Sequence, residues 1–336
     1  MNSSPQKIET NLTYFHDGIN EGKSEINDNE KSSPNNTHDC SKKLDQVLVQ
    51  KQESVPEEKI YNDYDTLVLS GCSQSAIIIL GGIQYAMDNF LFNNITNFVG
   101  TSSGTLISYF LIIGYTPLEL LVSLCTNPIL DKMNHFNLVA MLQGRGATSF
   151  TYFQEYLEKL TIDKIGYLPT LQNLKERFNK TLVCVTYNLS EDKTEYLSHE
   201  THPELPCITA IHLSCNLPLV FENFKYGSSL YLDGGLGDNF PIQIGEKIGK
   251  KVLAIILAPS SPGKYDVNMG ILEFIYRILF ITVTTSMEYK CNLASDKCTI
   301  VKLTSFNKLV FDFDIKSKEK IEMFCHGYKE ISQYLN

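Results

Sequence analysis

The sequence predicts an α/β fold: a three-layer sandwich with helices on both faces of a mostly parallel central sheet, preceded by a disordered polar tail. Three observations lead there. From Tyr61 onward, strand-length apolar runs alternate with helical patterns. Two of those runs, "TLVCVTYNL" and "KKVLAIILA", are almost continuously apolar, as central strands covered on both faces must be. Before Tyr61 the chain is rich in Asn, Ser, Glu, Asp and Lys with no sustained period. Such a segment cannot bury enough apolar surface to offset the entropy of ordering it. The organisation is therefore drawn as a tail over residues 1–60 and one folded domain over residues 61–336. With 336 residues, 43% of them hydrophobic, the chain can bury a large core.

The elements follow in order. Within the tail, "LDQVLVQ" has the pattern of a short helix. "DTLVLSG" is a short β-rich run closed by glycine, and "SAIIILGGIQYAMDNF" is long enough for a buried helix. "NFVGTSS" reads as a second strand end, followed by an apolar helix "GTLISYFLIIG" closed by Gly114. In "TPLELLVSL", Thr116 is an N-cap, Pro117 occupies the first helical position and Glu119 lies in the first turn. "SFTYFQEYLEKL" and "CITAIHLSCNLP" are helical patterns between strands, and "KSKEKIEMFCHGYKEISQYL" is an amphipathic C-terminal helix. "MGILEFIYRILFITVTTSM" is apolar nearly all the way round, which predicts a buried helix. The alternative is a membrane-facing lip near the site, with Phe274 and Phe280 as its contact residues.

Composition excludes some functions. The net charge is -9 and Arg145, Arg177 and Arg277 are the only arginines. No basic stripe is available for nucleic acid. An acidic chain would meet a membrane through apolar surface rather than polybasic attraction. Nine cysteines with no repeating spacing point to free thiols in a reducing compartment. The start "MNSSPQKIET" has no apolar h-region. The expectation is thus an intracellular, cytoplasmic protein, not secreted through a signal peptide, with room for peripheral membrane association. No run is long and apolar enough for a membrane span.

Two stretches carry chemistry. "GTSSG" fits Gly-x-Ser-x-Gly with Ser102 central and Gly100 and Gly104 as the flanking small residues. A nucleophilic hydroxyl must stand out of the sheet on a tight strand-to-helix turn, where bulky neighbours would clash. The following helix points its positive end at the place where an anion would develop. Glycine and serine are also ordinary turn residues, so both readings stand on this pattern alone. Ser103 reads as the occupant of a small-residue slot. None of the seven histidines sits where a base is expected, and the His199/His202 pair has too few ligands for a metal site. "SLYLDGGLGDNFP" places Asp233 at a strand end before two glycines. It is either a hairpin turn or a carboxylate that takes a proton directly from a serine hydroxyl. Asp238 in the same stretch reads as a helix cap. A nucleotide site in "LSGCSQSAIIILGG" lacks both the P-loop lysine and the dinucleotide glycine spacing.

Four blocks in order, "LVLSGCSQS…GG", "GTSSGTLISYFLIIGYTPLELL", "TAIHLSCNLPLVF" and "LYLDGGLGDNFPI", resemble the patatin-like phospholipase family from about Thr66 to the C-terminus. The resemblance implies a patatin-like α/β domain that hydrolyses fatty-acyl esters of lipids with a serine-aspartate dyad and no metal or organic cofactor. By position, Ser102 is implied as nucleophile and Asp233 as base. The implied oxyanion loop is Gly71, Cys72 and Ser73, and the implied partner is a lipid or phospholipid substrate. One block departs from the family pattern. Where a glycine-rich loop with a basic residue is usual, this chain reads "GCSQSA". Backbone N–H donors survive that change, but Cys and Ser reach positive φ only at a cost. The two functional expectations are therefore an acyl hydrolase and, as the alternative, a catalytically impaired lipid-binding or interaction protein on the same fold.

Overall fold

The computed structural model describes residues 64–127, 137–143, 145–258, 270–305 and 315–335. The expected tail of residues 1–60, with its short helix over "LDQVLVQ", lies outside the described residues. The strands are β1 (Thr66–Leu69), β2 (Asn97–Thr101), β3 (Thr181–Asn188), β4 (Lys193–Leu197), β5 (Phe224–Tyr226), β6 (Ser229–Asp233), β7 (Val252–Ala258) and β8 (Cys298–Thr304). They form one sheet in the order β5-β6-β3-β2-β1-β7-β8, with β4 also paired to β3. The run from β3 through β2, β1 and β7 to β8 is parallel. The β3–β4, β3–β6 and β5–β6 pairs are antiparallel. Both strands expected to be central, β3 and β7, have neighbours on each side, and their alternate residues are buried on opposite faces of the sheet, which explains their lack of polar alternation.

Alternation along the strands separates two cores. Leu67, Leu69, Phe98, Leu182, Leu253 and Ile255 point to one face. There they meet α1 (Ala76–Asp88), α2 (Ser103–Ile112) and the C-terminal α11 (Ser317–Leu335). Val68, Val99, Val183, Val252 and Ala254 point to the other, against Phe240, Ile242 and Met287. The period of two along each strand thus produces the three layers. Between α2 and α11 lie α3 (Pro117–Thr126), α4 (Leu138–Leu142), α5 (Thr151–Ile165), α6 (Leu171–Phe178), α7 (Cys207–Cys215), α8 (Gly235–Asp238), α9 (Ile242–Ile248) and α10 (Ile271–Leu293). Helix α3 opens as the sequence predicts. Thr116 Oγ1 accepts from Glu119 N at 3.2 Å, and Glu119 Oε2 accepts from Thr116 N at 2.7 Å, a reciprocal capping box. Among the described residues no single helix is long and apolar enough to cross a membrane.

Two expectations are corrected. Asp238 does not cap the following helix, whose N-cap is Pro241. Its carboxylate is buried and ionically paired: Oδ1 accepts from Lys290 Nζ of α10 at 2.5 Å and from Phe240 N at 3.1 Å, and Oδ2 accepts from Tyr196 OH at 2.9 Å. Nor is α10 buried all round. Tyr276 and Met287 are buried, but Phe274, Ile278 and Ile281 are 44%, 50% and 63% exposed. Spacing of four and then three residues puts those three on one outward stripe.

Candidate active site

Register brings Ser102 and Asp233 together. At the end of β2, Thr101 lies opposite Val185 of β3, and one residue further Thr186 of β3 lies opposite Asp233 of β6. Strand β3 therefore carries two distant chain segments to the same carboxyl end of the parallel sheet, where open α/β sheets form their sites. Ser102 Oγ donates to Asp233 Oδ2 at 2.6 Å, with no imidazole between them. The other carboxylate oxygen, Oδ1, accepts from Gly235 N at 2.7 Å. The second glycine after the aspartate is a matter of space: a Cβ on Gly235 would stand 2.9 Å from both Asp233 Oδ1 and Asn239 Oδ1. The first, Gly234, lies so close to β3 that a Cβ would stand 2.1 Å from Val185 O.

Ser102 is the sharp turn between β2 and α2, with φ 53 and ψ -123. An L-residue rarely adopts this backbone, which costs ~1–3 kcal/mol and persists only where the surroundings enforce it. The enforcement is visible. Ser102 N donates to Ser214 Oγ at 2.9 Å; Ser214 Oγ in turn lies 2.9 Å from Thr105 Oγ1, which donates to Gly100 O at 2.7 Å. The turn also needs its small neighbours. A Cβ on Gly104 would stand 2.5 Å from Leu69 O, and one on Gly100 2.5 Å from Thr105 N. Ser214 lies in α7, within a block the sequence marks as helical, but its contact with residue 102 spans the chain and leaves no local signal.

Asp233 is 5% exposed. Burial pushes its pKa from 3.8 up to about 6, opposed by the hydrogen bonds from Ser102 and Gly235. Cys215 of α7 hydrogen-bonds to Ser102, and burial holds its thiol well above the ordinary value, so it stays protonated. His212 is no competitor for the role of base. It is stacked between Phe150 and Phe224 at 3.9 and 3.8 Å, and burial lowers its pKa to about 4.

Ser102 and Asp233 open into a cavity of about 210 Å³ whose walls are mostly aliphatic and aromatic, including Phe110, Phe150, Phe153, Leu279 and Phe280. Among the described residues, Asp233 is the only acidic side chain lining it and no Lys, Arg or His does. Gly71, Cys72 and Ser73 line the same cavity. Ser73, which stands where the family pattern has glycine, takes φ 51, the conformation the substitution makes costly. Cys72 N is not open to the cavity as expected: it donates to Ser103 Oγ at 3.0 Å. Ser103 is thus more than a space-filler. Asn239, a further residue the sequence reading passed over, donates through Nδ2 to Gly71 O at 3.0 Å.

A family model described as patatin-like phospholipase matches residues 67–245, more than half of the chain. The chain belongs to the patatin-like phospholipase family. Among proteins similar to this family member is a probable lipid hydrolase of Invertebrate iridescent virus 6, 29% identical over 253 residues, covering 73% of this chain and 86% of that protein. An uncharacterized protein of Acanthamoeba polyphaga mimivirus is 24% identical over 296 residues, covering 84% and 98%. Among solved structures, VipD from Legionella pneumophila aligns with a TM-score of 0.49 at 15% identity, over 86% of this patatin-like chain and 72% of its own.

The raised pKa has a consequence for stability. A carboxyl whose folded pKa lies above its unfolded value binds its proton more tightly when folded, so its contribution is fully present below about pH 4 and is lost as pH rises through about 6. Asp233→Asn removes that loss. Relative to the wild type, the variant is expected to gain stability between about pH 4 and pH 7, by up to ~3 kcal/mol. Urea unfolding midpoints of both proteins across that range check it. A parallel pH dependence would contradict an acid of raised pKa at this position.

Proposed function

We propose that this protein is a lipid acyl hydrolase of phospholipase A type, a carboxylic ester hydrolase working through Ser102 and Asp233. The observation that carries the reading is the 2.6 Å contact from Ser102 Oγ to Asp233 Oδ2 at the wall of an apolar cavity. Ser102 Oγ attacks the ester carbonyl as Asp233 takes its proton, which then goes to the departing alcohol. Asp233 next deprotonates a water, which attacks the acyl-serine and releases the fatty acid. The apolar walls suit the acyl chain, and the 71–73 loop, which lines the same cavity, is assigned to the oxyanion in this reading. No step needs a metal or organic cofactor.

A second reading is favoured by one specific observation. With Cys72 N already bonded to Ser103 Oγ, the loop could leave an oxyanion under-stabilised, and the protein would then bind lipid without turning it over. Fluorophosphonate labelling separates the two. The hydrolase reading expects Ser102-dependent labelling, lost in Ser102→Ala, and ester hydrolysis reduced about a thousandfold or more in that variant. Because the base must be ionised, activity is expected to fall about tenfold per unit below about pH 6. Folded protein that neither labels nor hydrolyses at neutral pH would support the second reading.

We also propose peripheral contact with lipid surfaces through α10. Its Leu279, Phe280 and Val283 line the cavity, whereas Phe274, Ile278 and Ile281 are exposed; Phe280 therefore belongs to the cavity wall, not the lip. Ile281→Asp is expected to weaken binding to phosphatidylcholine vesicles several-fold, while hydrolysis of a soluble short-chain ester is kept. Unchanged vesicle binding would contradict the contact.

A further inference from the structure

We infer that the Ser103 hydroxyl is itself a donor to the oxyanion, an inference that rests on the hydrolase reading of Ser102 and Asp233. The starting point is the Gly71–Cys72 peptide, which is held from both sides. Its carbonyl oxygen, Gly71 O, accepts from Asn239 Nδ2 at 3.0 Å, and its N–H, on Cys72, donates to Ser103 Oγ at 3.0 Å. A peptide plane fixed at its oxygen and its nitrogen cannot turn to re-aim the N–H. Asn239 is itself anchored, since the same Nδ2 lies 3.1 Å from Met287 Sδ of α10. The approach is close enough that only glycine fits at 71: a Cβ there would stand 2.5 Å from Asn239 Oδ1 and 3.0 Å from Ser102 Cβ.

The middle donor of the expected loop therefore ends on a hydroxyl. A hydroxyl accepts and donates at once. With a lone pair of Ser103 Oγ receiving the Cys72 N–H, its own proton remains to be given. In the resting site the nearby partner for that proton is Cys72 Sγ at 3.4 Å, a weak acceptor. Burial raises the Cys72 pKa to about 12, so that sulfur is a neutral thiol and no competitor for an oxyanion. Three further features favour donation into the cavity. Ser103 directly follows Ser102 and lines the same cavity. It is the first residue of α2, where the helix dipole stabilises negative charge. Receiving an N–H bond also polarises a hydroxyl and strengthens the bond it donates. The Ser103 proton stays on Ser103 throughout; no bond is made or broken by it. A rotatable O–H thus replaces an N–H whose direction the "GCSQSA" loop has fixed elsewhere.

Ser103→Ala tests this, and alanine is well tolerated at a helix start. The bimolecular rate of fluorophosphonate labelling at Ser102, and kcat and KM for p-nitrophenyl butyrate, are measured beside wild type and Ser102→Ala. The expected result is a loss of about a hundredfold in labelling rate and kcat, with KM close to wild type and the thermal midpoint lowered by only a few degrees, because the Cys72 N–H loses its acceptor. Ser103→Thr keeps the hydroxyl and is expected to recover most of the rate. Equal or faster reaction of Ser103→Ala overturns the inference and makes Ser103 a competitor that withholds the Cys72 N–H. Wild type that labels no faster than Ser102→Ala overturns the hydrolase reading beneath it, a failure distinct from the first.

Discussion

Ser102 Oγ and Asp233 Oδ2 are 2.6 Å apart across 131 residues of chain, and much of the fold can be understood as the means of keeping them there. The parallel β2–β3 pairing and the antiparallel β3–β6 pairing set the two strand ends side by side. A one-residue slip in either ladder would turn its side chain to the opposite face of the sheet. The backbone strain at Ser102 lifts the hydroxyl out of the sheet, and the bonds through Ser214 and Thr105 keep it lifted. Burial of Asp233 raises its pKa to about 6, which costs stability at neutral pH but leaves a carboxylate basic enough to take a proton.

A second network holds the far side of the same turn. Thr101 Oγ1 donates to Asp238 O at 2.8 Å, and the Asp238 carboxylate is bonded to Lys290 of α10 and Tyr196 of β4. Removing one partner of such a buried ion pair leaves an uncompensated charge. Asn239, the next residue, reaches back to Gly71 and to Met287. The strand end before Ser102, the 71–73 loop and the cavity-lining helix α10 are thereby tied to one short segment, the turn that follows the two glycines after Asp233. Ser102, Asp233 and the loop facing them depend on the same few residues.

Much of this was legible in the sequence, for identifiable reasons. Strands β3 and β7 are apolar on both faces because they are covered on both, and the Thr116 capping box is local. The ordered blocks around Ser102 and Asp233 mark the site because a tight turn and a strand end demand small residues at fixed offsets. What escaped is non-local or degenerate. Contacts from Ser103 to Cys72 and from Asn239 to Gly71 span 31 and 168 residues and have no periodic signature. Asp238 has the composition of a cap and becomes an ion-pair partner only once α10 folds over it. Helix α10 looks buried because its cavity-facing side and its exposed stripe are equally apolar, and hydropathy cannot distinguish a wall from an outer face.

The central claim is that the acyl group passes through Ser102, and the most direct test is to catch it there. Protein mixed with excess p-nitrophenyl butyrate would be acid-quenched within milliseconds, digested and weighed peptide by peptide. A butyryl group is expected on the peptide carrying Ser102, absent from Ser102→Ala. Turnover without any acylated serine, or an acyl group on the neighbouring Cys215 thiol instead, would contradict it.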